Sequence, residues 1–414
     1  MKKISEGGLL AILAAVQFTN IVDFMIMMPL GDLFQRELGI QPFQYSILVS
    51  AYPMAAFLSS LFGVFFLDKF DRKKALTVAY FGFALGTLSS AVVPNTDNES
   101  LNYILFVGTR FFTGMSGGIL GALVLSIVGD AIPLERRGKA MGVVMMAFSL
   151  AAIVGVPLGL LLVEWFDGNW HAPFLMVGGL ALVVWFFIVI KIPPLRAHLD
   201  TGRLKPHPFE TIQLAIKSPN QQKALLFMVL LVLGQFTVIP FITPYMINNV
   251  GIAQDQIIYI YLIGGACTVI TSPLVGRLVD RFGRKTIFFV MAIGSLVPLL
   301  LTTNLWPLPI YLVLCVSASF FIFISGRNIP ANTMLTAVVL PQNRGGFMSL
   351  NSSCMSLASG AASLIAGSII VQEAEGEALQ HYNVVGYVAV TFTILAILLA
   401  TQLKELPQEL PKSE

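Results

Sequence analysis

The chain has 414 residues, of which 56% are hydrophobic and only 11% charged, with a formal net charge of +3. A soluble domain carries about a quarter of its residues as charges, so this composition excludes a water-exposed globule and leaves a membrane protein. The small basic excess is too diluted by apolar sequence to signal nucleic-acid affinity.

In chain order, the first apolar run covers 8–31 and contains a single charge, Asp23. It follows Met-Lys-Lys and imitates a signal peptide. Glu6 interrupts the basic region, however, and no small-residue cleavage site follows promptly, so it is expected to remain as the first helix. Uncharged runs follow at 44–67 and 75–95, then 101–129 with only Arg110, then 141–163 and 172–190. After a polar stretch come 224–249, 256–276, 286–340, 345–372 and 382–403. The 286–340 run is too long for one crossing, and Asn304-Leu-Trp-Pro-Leu-Pro309 divides it with a turn carrying an interfacial tryptophan. Each piece suits a helix of about 20 residues across about 30 Å of hydrocarbon. Twelve spans are predicted, in an all-α membrane protein.

An even count puts both termini on one side. Of 25 Lys and Arg residues, 22 fall in the termini or in the connectors 2-3, 4-5, 6-7, 8-9 and 10-11; Arg36 alone lies opposite, and Arg110 and Arg327 sit inside spans. The positive-inside rule then makes both termini of this multi-pass protein cytoplasmic. Cys267, Cys315 and Cys354 lie inside predicted spans and read as packing residues, not disulfide partners.

The polar stretch 191–223, with Pro193, Pro194, Pro206 and Pro208, separates six spans from six. The predicted organisation is an N-terminal bundle (1–190), a cytoplasmic linker (191–223), a C-terminal bundle (224–403) and a tail (404–414). Two register points support a parallel duplication. Pro133-Leu-Glu-Arg-Arg-Gly138 matches Pro341-Gln-Asn-Arg-Gly-Gly346, 208 residues on, and Asp68-Lys-Phe-Asp71-Arg72 matches Asp280-Arg-Phe-Gly283-Arg284, 212 residues on.

The second turn in full, Gly276-Arg-Leu-Val-Asp280-Arg281-Phe-Gly283-Arg284-Lys285, resembles the loop signature of the major facilitator superfamily, G-x-x-x-D-R-x-G-R-K between two apolar helices. The resemblance covers nearly the whole chain and is nearest to the bacterial drug/proton antiporter and sugar-efflux-permease group. It implies two pseudo-symmetric six-helix bundles with a midplane site between them, and a latch in which Asp68 and Asp280 face helix N-termini of the neighbouring bundle when the cytoplasmic side is shut. The first copy departs from the pattern, with Asp71 in place of glycine and Val64 at the initial glycine position. It also implies that Arg110, in a segment like the family's second motif, communicates with Asp23. Gly155-Val-Pro157-Leu-Gly159 is similar to the antiporter motif of drug/proton exchangers, with the proline displaced by one. Read without the resemblance, those residues are a packing kink.

Asp23 is the only acid deep inside a span, where a carboxylate costs several kcal/mol unless protonated, hydrated or paired. Gln17, Asn20, Asp23, Phe24 and Met27 recur at helical spacing and are expected to share a face toward a cavity. That face suits either proton coupling or a purely structural contact. Arg327, three residues before Pro330, either faces an anionic substrate or bonds carbonyls freed by the proline. Asn332, Gln235, Thr243, Tyr245 and Asn351 are weaker cavity candidates, with an interhelical hydrogen bond as the alternative reading for the last four.

No nucleotide-binding phosphate loop, metal-ligand cluster or nucleophile with its base is present in the sequence. The expected function is secondary transport by alternating access, exporting small apolar or amphipathic molecules with the proton as coupling ion. Its partners are a small-molecule substrate and the lipid bilayer, with no nucleic acid, nucleotide or metal, acting as a monomer. The rivals are a sugar, metabolite or lysolipid transporter of the same fold, and a membrane sensor.

Overall fold

A backbone inside hydrocarbon has no water to bond, so each segment must satisfy its own N–H and C=O groups, and a helix does so within itself. The computed structural model follows that rule; it describes residues 4–66, 70–94, 96–195, 217–339, 344–374 and 376–404. Twelve helical spans run through the described residues. Those of the first half are span 1 (Glu6–Met25 and Gly31–Glu37), span 2 (Pro42–Phe66), span 3 (Arg72–Ala91), span 4 (Glu99–Gly117 and Leu120–Ala131), span 5 (Leu134–Leu150 and Val156–Trp165) and span 6 (His171–Lys191). The second half has span 7 (Pro219–Phe236 and Ile242–Asn248), span 8 (Ile257–Phe282), span 9 (Arg284–Thr303), span 10 (Ile310–Ala337), span 11 (Arg344–Ile369) and span 12 (Tyr382–Gln402). Eleven are long and apolar enough to cross a membrane; span 3 has 20 residues but opens on Arg72-Lys-Lys. The one β pairing among the described residues is a single antiparallel bridge, Val371–Gln380.

The ends of the spans follow capping chemistry. Ser5, Asn98 and Ser218 each accept a backbone N–H of the first turn that follows, filling a bond that no earlier carbonyl supplies. Asp71 does the same for span 3, accepting from Lys73 N at 2.9 Å and from Leu195 N at 3.0 Å. Its counterpart Gly283 adopts φ +85° between spans 8 and 9, a conformation open to glycine. The two related turns are therefore built differently: Asp71, at φ −54°, caps a helix where glycine reverses the chain. Asp68 lies outside the described residues, as do most of the linker and all but the start of the tail.

The two bundles pack alike. Spans 1 and 5, 1 and 6, 2 and 4, 3 and 4, and 3 and 6 adjoin in the first bundle; 7 and 11, 7 and 12, 8 and 10, 9 and 10, and 9 and 12 adjoin in the second. Three seams join the bundles: span 2 on span 11, span 5 on span 8, and Gly31–Glu37 of span 1 on Ile242–Asn248 of span 7. The first seam runs from Ser46–Ser363 to Ser60–Ser353, with a glycine in the contact: a Cβ on Gly360 would meet the Met54 side chain.

The apolar cores show which end is shut. At the end away from the chain termini, one core unites Leu30, Phe34 and Tyr45 with Phe241, Met246 and Ile370 of the other bundle. At the end that carries the termini, each bundle keeps its own core, around Leu13, Tyr80 and Phe83 in the first and Phe227, Phe288 and Met334 in the second. We call these the distal and terminal ends. Among the described residues the apolar cores merge distally and stay separate terminally, where Ser60 still meets Ser353 along the first seam.

Candidate functional site: a buried ion pair beside the central cleft

Asp23 and Arg110 are both fully buried. Arg110 Nη2 donates to Asp23 Oδ2 at 2.8 Å and Nη1 to Oδ1 at 3.0 Å, the bidentate geometry that a planar guanidinium allows; Nη2 also reaches the Asp23 carbonyl at 3.3 Å. Thr87 Oγ1 of span 3 donates to Oδ1 at 3.0 Å. The guanidinium carbon lies 5.2 Å from the Tyr52 ring centroid and 5.6 Å from that of Phe174. Removing either charge would strand the other in a dry interior, at a cost of about 3–5 kcal/mol.

Glycines bring these elements together. A Cβ on Gly114 would run into the Tyr52 backbone and one on Gly118 into the Ala56 backbone, so span 4 lies directly on span 2. Gly121, which continues the same stripe, has open space around it. Gly155 and Gly159 face Val22 and Ile26 of span 1. Pro157 lies in the first turn of Val156–Trp165. It lacks the N–H that would bond one turn back, and the preceding residues widen into a π turn, Ala151–Gly155. The partner of this kink is thus the helix that carries Asp23.

The shared-face expectation for span 1 divides. Gln17, Asn20 and Phe24 are half-exposed, whereas Asp23 and Met27 are buried. Phe24 meets Phe236 of the other bundle at 5.9 Å between ring centroids, so the half-exposed face borders the space between the bundles. Asp23 is one residue round the helix and points into its own bundle. The two sides communicate through Tyr52, whose hydroxyl donates to Asn20 Oδ1.

Opposite, Gln235, Asn328 and Asn332 are half-exposed; Asn328 Nδ2 donates to Gln235 Oε1 at 3.2 Å, and Asn332 Nδ2 to Asn328 O at 2.8 Å. Gln17 Oε1 and Asn351 Oδ1 are buried without a hydrogen-bond partner, and Asn351 Nδ2 has only Met355 Sδ, at 3.1 Å.

Three expectations are corrected. Tyr245 is no cavity residue: it lies in the distal core, donates to Leu305 O at 2.7 Å and packs on Tyr382. Thr243 bonds Tyr261 in the same region. Arg327 neither meets the cleft nor bonds carbonyls of its own span. It is fully buried and donates to Ser295 Oγ, Thr393 Oγ1 and Leu231 O of spans 9, 12 and 7.

At the terminal end, Arg72 pairs with Asp130 at 3.3 Å. Asp280 is exposed and has no hydrogen bond among the described residues, and Arg281 lies over the Phe282 ring. Arg284 begins span 9. Gly276 has nothing within 4 Å of a built Cβ, so no close neighbour requires glycine there.

Sequence reading missed Thr87, Tyr52, Ser295, Asn328 and the distal residues Tyr45, Asp32 and Asn248. The repeat did not point to Ser295, because the 212-residue register of the turns that open spans 3 and 9 aligns Thr87 with Leu299.

A family model described as Major Facilitator Superfamily matches residues 13–239 and 224–414. The "Probable sugar efflux transporter" of Helicobacter pylori (strain G27) is 24% identical over 272 residues, 66% of each chain. The "Uncharacterized MFS-type transporter YbcL" of Bacillus subtilis (strain 168) is 25% identical over 94% of each. Among solved structures, a D-xylose-proton symporter superposes with a TM-score of 0.73 at 16% identity, covering 96% of this chain and 99% of that one. An inward-facing, unoccupied bacterial homolog of the human lysosomal transporter Spinster gives 0.71 at 16% identity, covering 97% and 100%. The chain spans about two thirds of the length of the first Helicobacter relatives it matches, and the pairing of spans and the family match agree: the chain belongs to the Major Facilitator Superfamily, a multi-pass membrane protein with twelve helical spans among the described residues.

Proposed function

We propose that this transporter exports small apolar or amphipathic molecules against proton entry, with Asp23 as the group that takes up and releases the proton. The observation that carries the reading is the bidentate Asp23–Arg110 pair, fully buried yet one side chain away from the cleft. A carboxylate that gains a proton cannot hold a guanidinium in a two-bond clamp. Protonation therefore releases Arg110 and removes the lock between spans 1 and 4. Exchange with water requires the bundles to rearrange, which ties proton movement to alternating access. With the basic connectors on the cytoplasmic side of an inner membrane, the terminal end faces inward and this state is closed outward. Cargo enters between Gln17, Asn20 and Phe24 of span 1 and Gln235, Asn328 and Asn332 of spans 7 and 10.

The amides of that lining, with the names of the Helicobacter relatives, favour a second reading in which the cargo is a sugar. Asp23→Asn in proteoliposomes tests the coupling under either cargo: gradient-driven uptake should fall at least tenfold while equilibrium binding persists. Unchanged gradient-driven transport would sink it.

A further inference from the structure

Arg110 and Arg327 occupy comparable places in the two bundles, but their partners differ: a carboxylate and two aromatic rings for Arg110, two hydroxyls and a carbonyl for Arg327. Arg110 on span 4 reaches spans 1 and 6 and stands beside Thr87 of span 3; Arg327 on span 10 reaches spans 7, 9 and 12. Nη2 of Arg110 meets the carbonyl of residue 23 at 3.3 Å, and Nη2 of Arg327 meets that of residue 231 at 3.3 Å. Nε of each is buried and unpartnered. The second bundle thus repeats an arginine that meets a backbone carbonyl, and the residue that supplies that carbonyl is a leucine where the first bundle has an aspartate.

Hydroxyls and a carbonyl bond the two Nη groups of Arg327 without cancelling the charge, and no acidic side chain pairs with it among the described residues. The charges in the middle of the spans are then Asp23, Arg110 and Arg327, which leaves a net positive charge with Asp23 ionised and a larger one with it protonated. The half-exposed amides of the second bundle begin at the very next residue, Asn328, and at Gln235, one turn from Leu231.

We propose that Arg327 is a specificity-determining residue: its uncompensated charge makes the central cleft select neutral cargo and reject cations. This deepens the reading above and rests on its placing cargo in the cleft, but not on proton coupling. A unit charge about 10 Å away, acting through an effective dielectric of about 20, changes the binding of another unit charge by about tenfold. Water in the cleft reduces that figure, and the low dielectric of the surrounding spans raises it.

The test uses the full chain in nanodiscs and two probes of nearly equal shape, the cation benzoylcholine and its neutral carbon isostere 3,3-dimethylbutyl benzoate, with Kd measured at one pH. The wild-type protein should bind the neutral probe at least tenfold more tightly. Leu231→Asp, which gives Arg327 the counter-charge that Arg110 has, should bring the two within about threefold. Arg327→Lys should keep the preference and Arg327→Met should lose it. Equal affinities in the wild type, a preference for the cation, or no binding of the neutral probe overturns the proposal even if every variant fails to fold. So does a preference unchanged in a folded Leu231→Asp or Arg327→Met protein. Neutral selectivity without a pH gradient effect would leave this inference standing and defeat the coupling; gradient-driven export of cations would do the reverse.

Discussion

Tyr45, near the start of span 2, lies within hydrogen-bonding distance of two carbonyls in two bundles, Pro240 O at 3.0 Å and Met27 O at 3.3 Å. Both carbonyls belong to interruptions, one between the helices of span 7 and one between those of span 1. Broken turns expose carbonyls that a continuous helix would have used, and a buried one needs a partner. The distal closure is thus held where each bundle's helix is broken. Asn248 supports it, donating to Asp32 Oδ1 across the bundles at 2.6 Å.

Tyr45→Phe keeps the ring that packs edge-on against Phe241 and removes only the hydroxyl. The loss should cost about 1 kcal/mol of the distally closed state. Distances between spin labels in the 39–41 and 251–253 connectors should shift toward a longer population by roughly fivefold in its ratio; an unchanged distribution would show that the apolar core alone closes this end.

Asp23 and Arg110 should behave as a unit. Asp23→Asn and Arg110→Gln are each expected to destabilise the protein by about 3–5 kcal/mol, because each strands a buried partner. The double variant should lose clearly less than the sum of the two, with a coupling energy of at least about 1 kcal/mol. Thermal unfolding in detergent measures it, and strict additivity would mean that the pair contributes nothing as a pair.

Glycine contacts give a comparison that requires no functional assay. Gly114→Ala drives a methyl into the Tyr52 backbone, which cannot yield as a side-chain tip would, so a loss of about 1–3 kcal/mol is expected. Gly276→Ala meets open space inside a helix, where alanine is the better helix former, and should leave the melting temperature unchanged or slightly raised. Equal effects at the two positions would argue against the close packing of spans 2 and 4.

Much of this was legible in the chain. Apolar runs of the right length specify spans because lipid admits few other backbones. The basic connectors and the repeated turns implied the duplication, and Asp23, Arg110 and Arg327 stood out because a charge in hydrocarbon is costly enough to need a reason. Helical spacing also assigned Gln17, Asn20 and Phe24 to one face. It could not say that Asp23, one position round the helix, turns inward, because a 100° step leaves a residue on the border between two faces until neighbouring helices settle it. Tyr245 went wrong for a related reason: the break at Ile239–Phe241 ends the periodicity on which its placement depended.

What the sequence determined by itself was local and one-dimensional: which stretches cross the membrane, where helices are capped or kinked, and which residues carry charges that must be compensated. Tertiary structure alone decided the pairing of those charges. Arg110 finds its carboxylate 87 positions away, and Arg327 finds none, because helices brought together by glycine contacts and duplicated packing determine what each guanidinium meets. Thr87, Ser295 and Tyr52 carry ordinary hydroxyls in ordinary apolar spans, and only the folded arrangement makes one set close around an ion pair and the other around a lone charge.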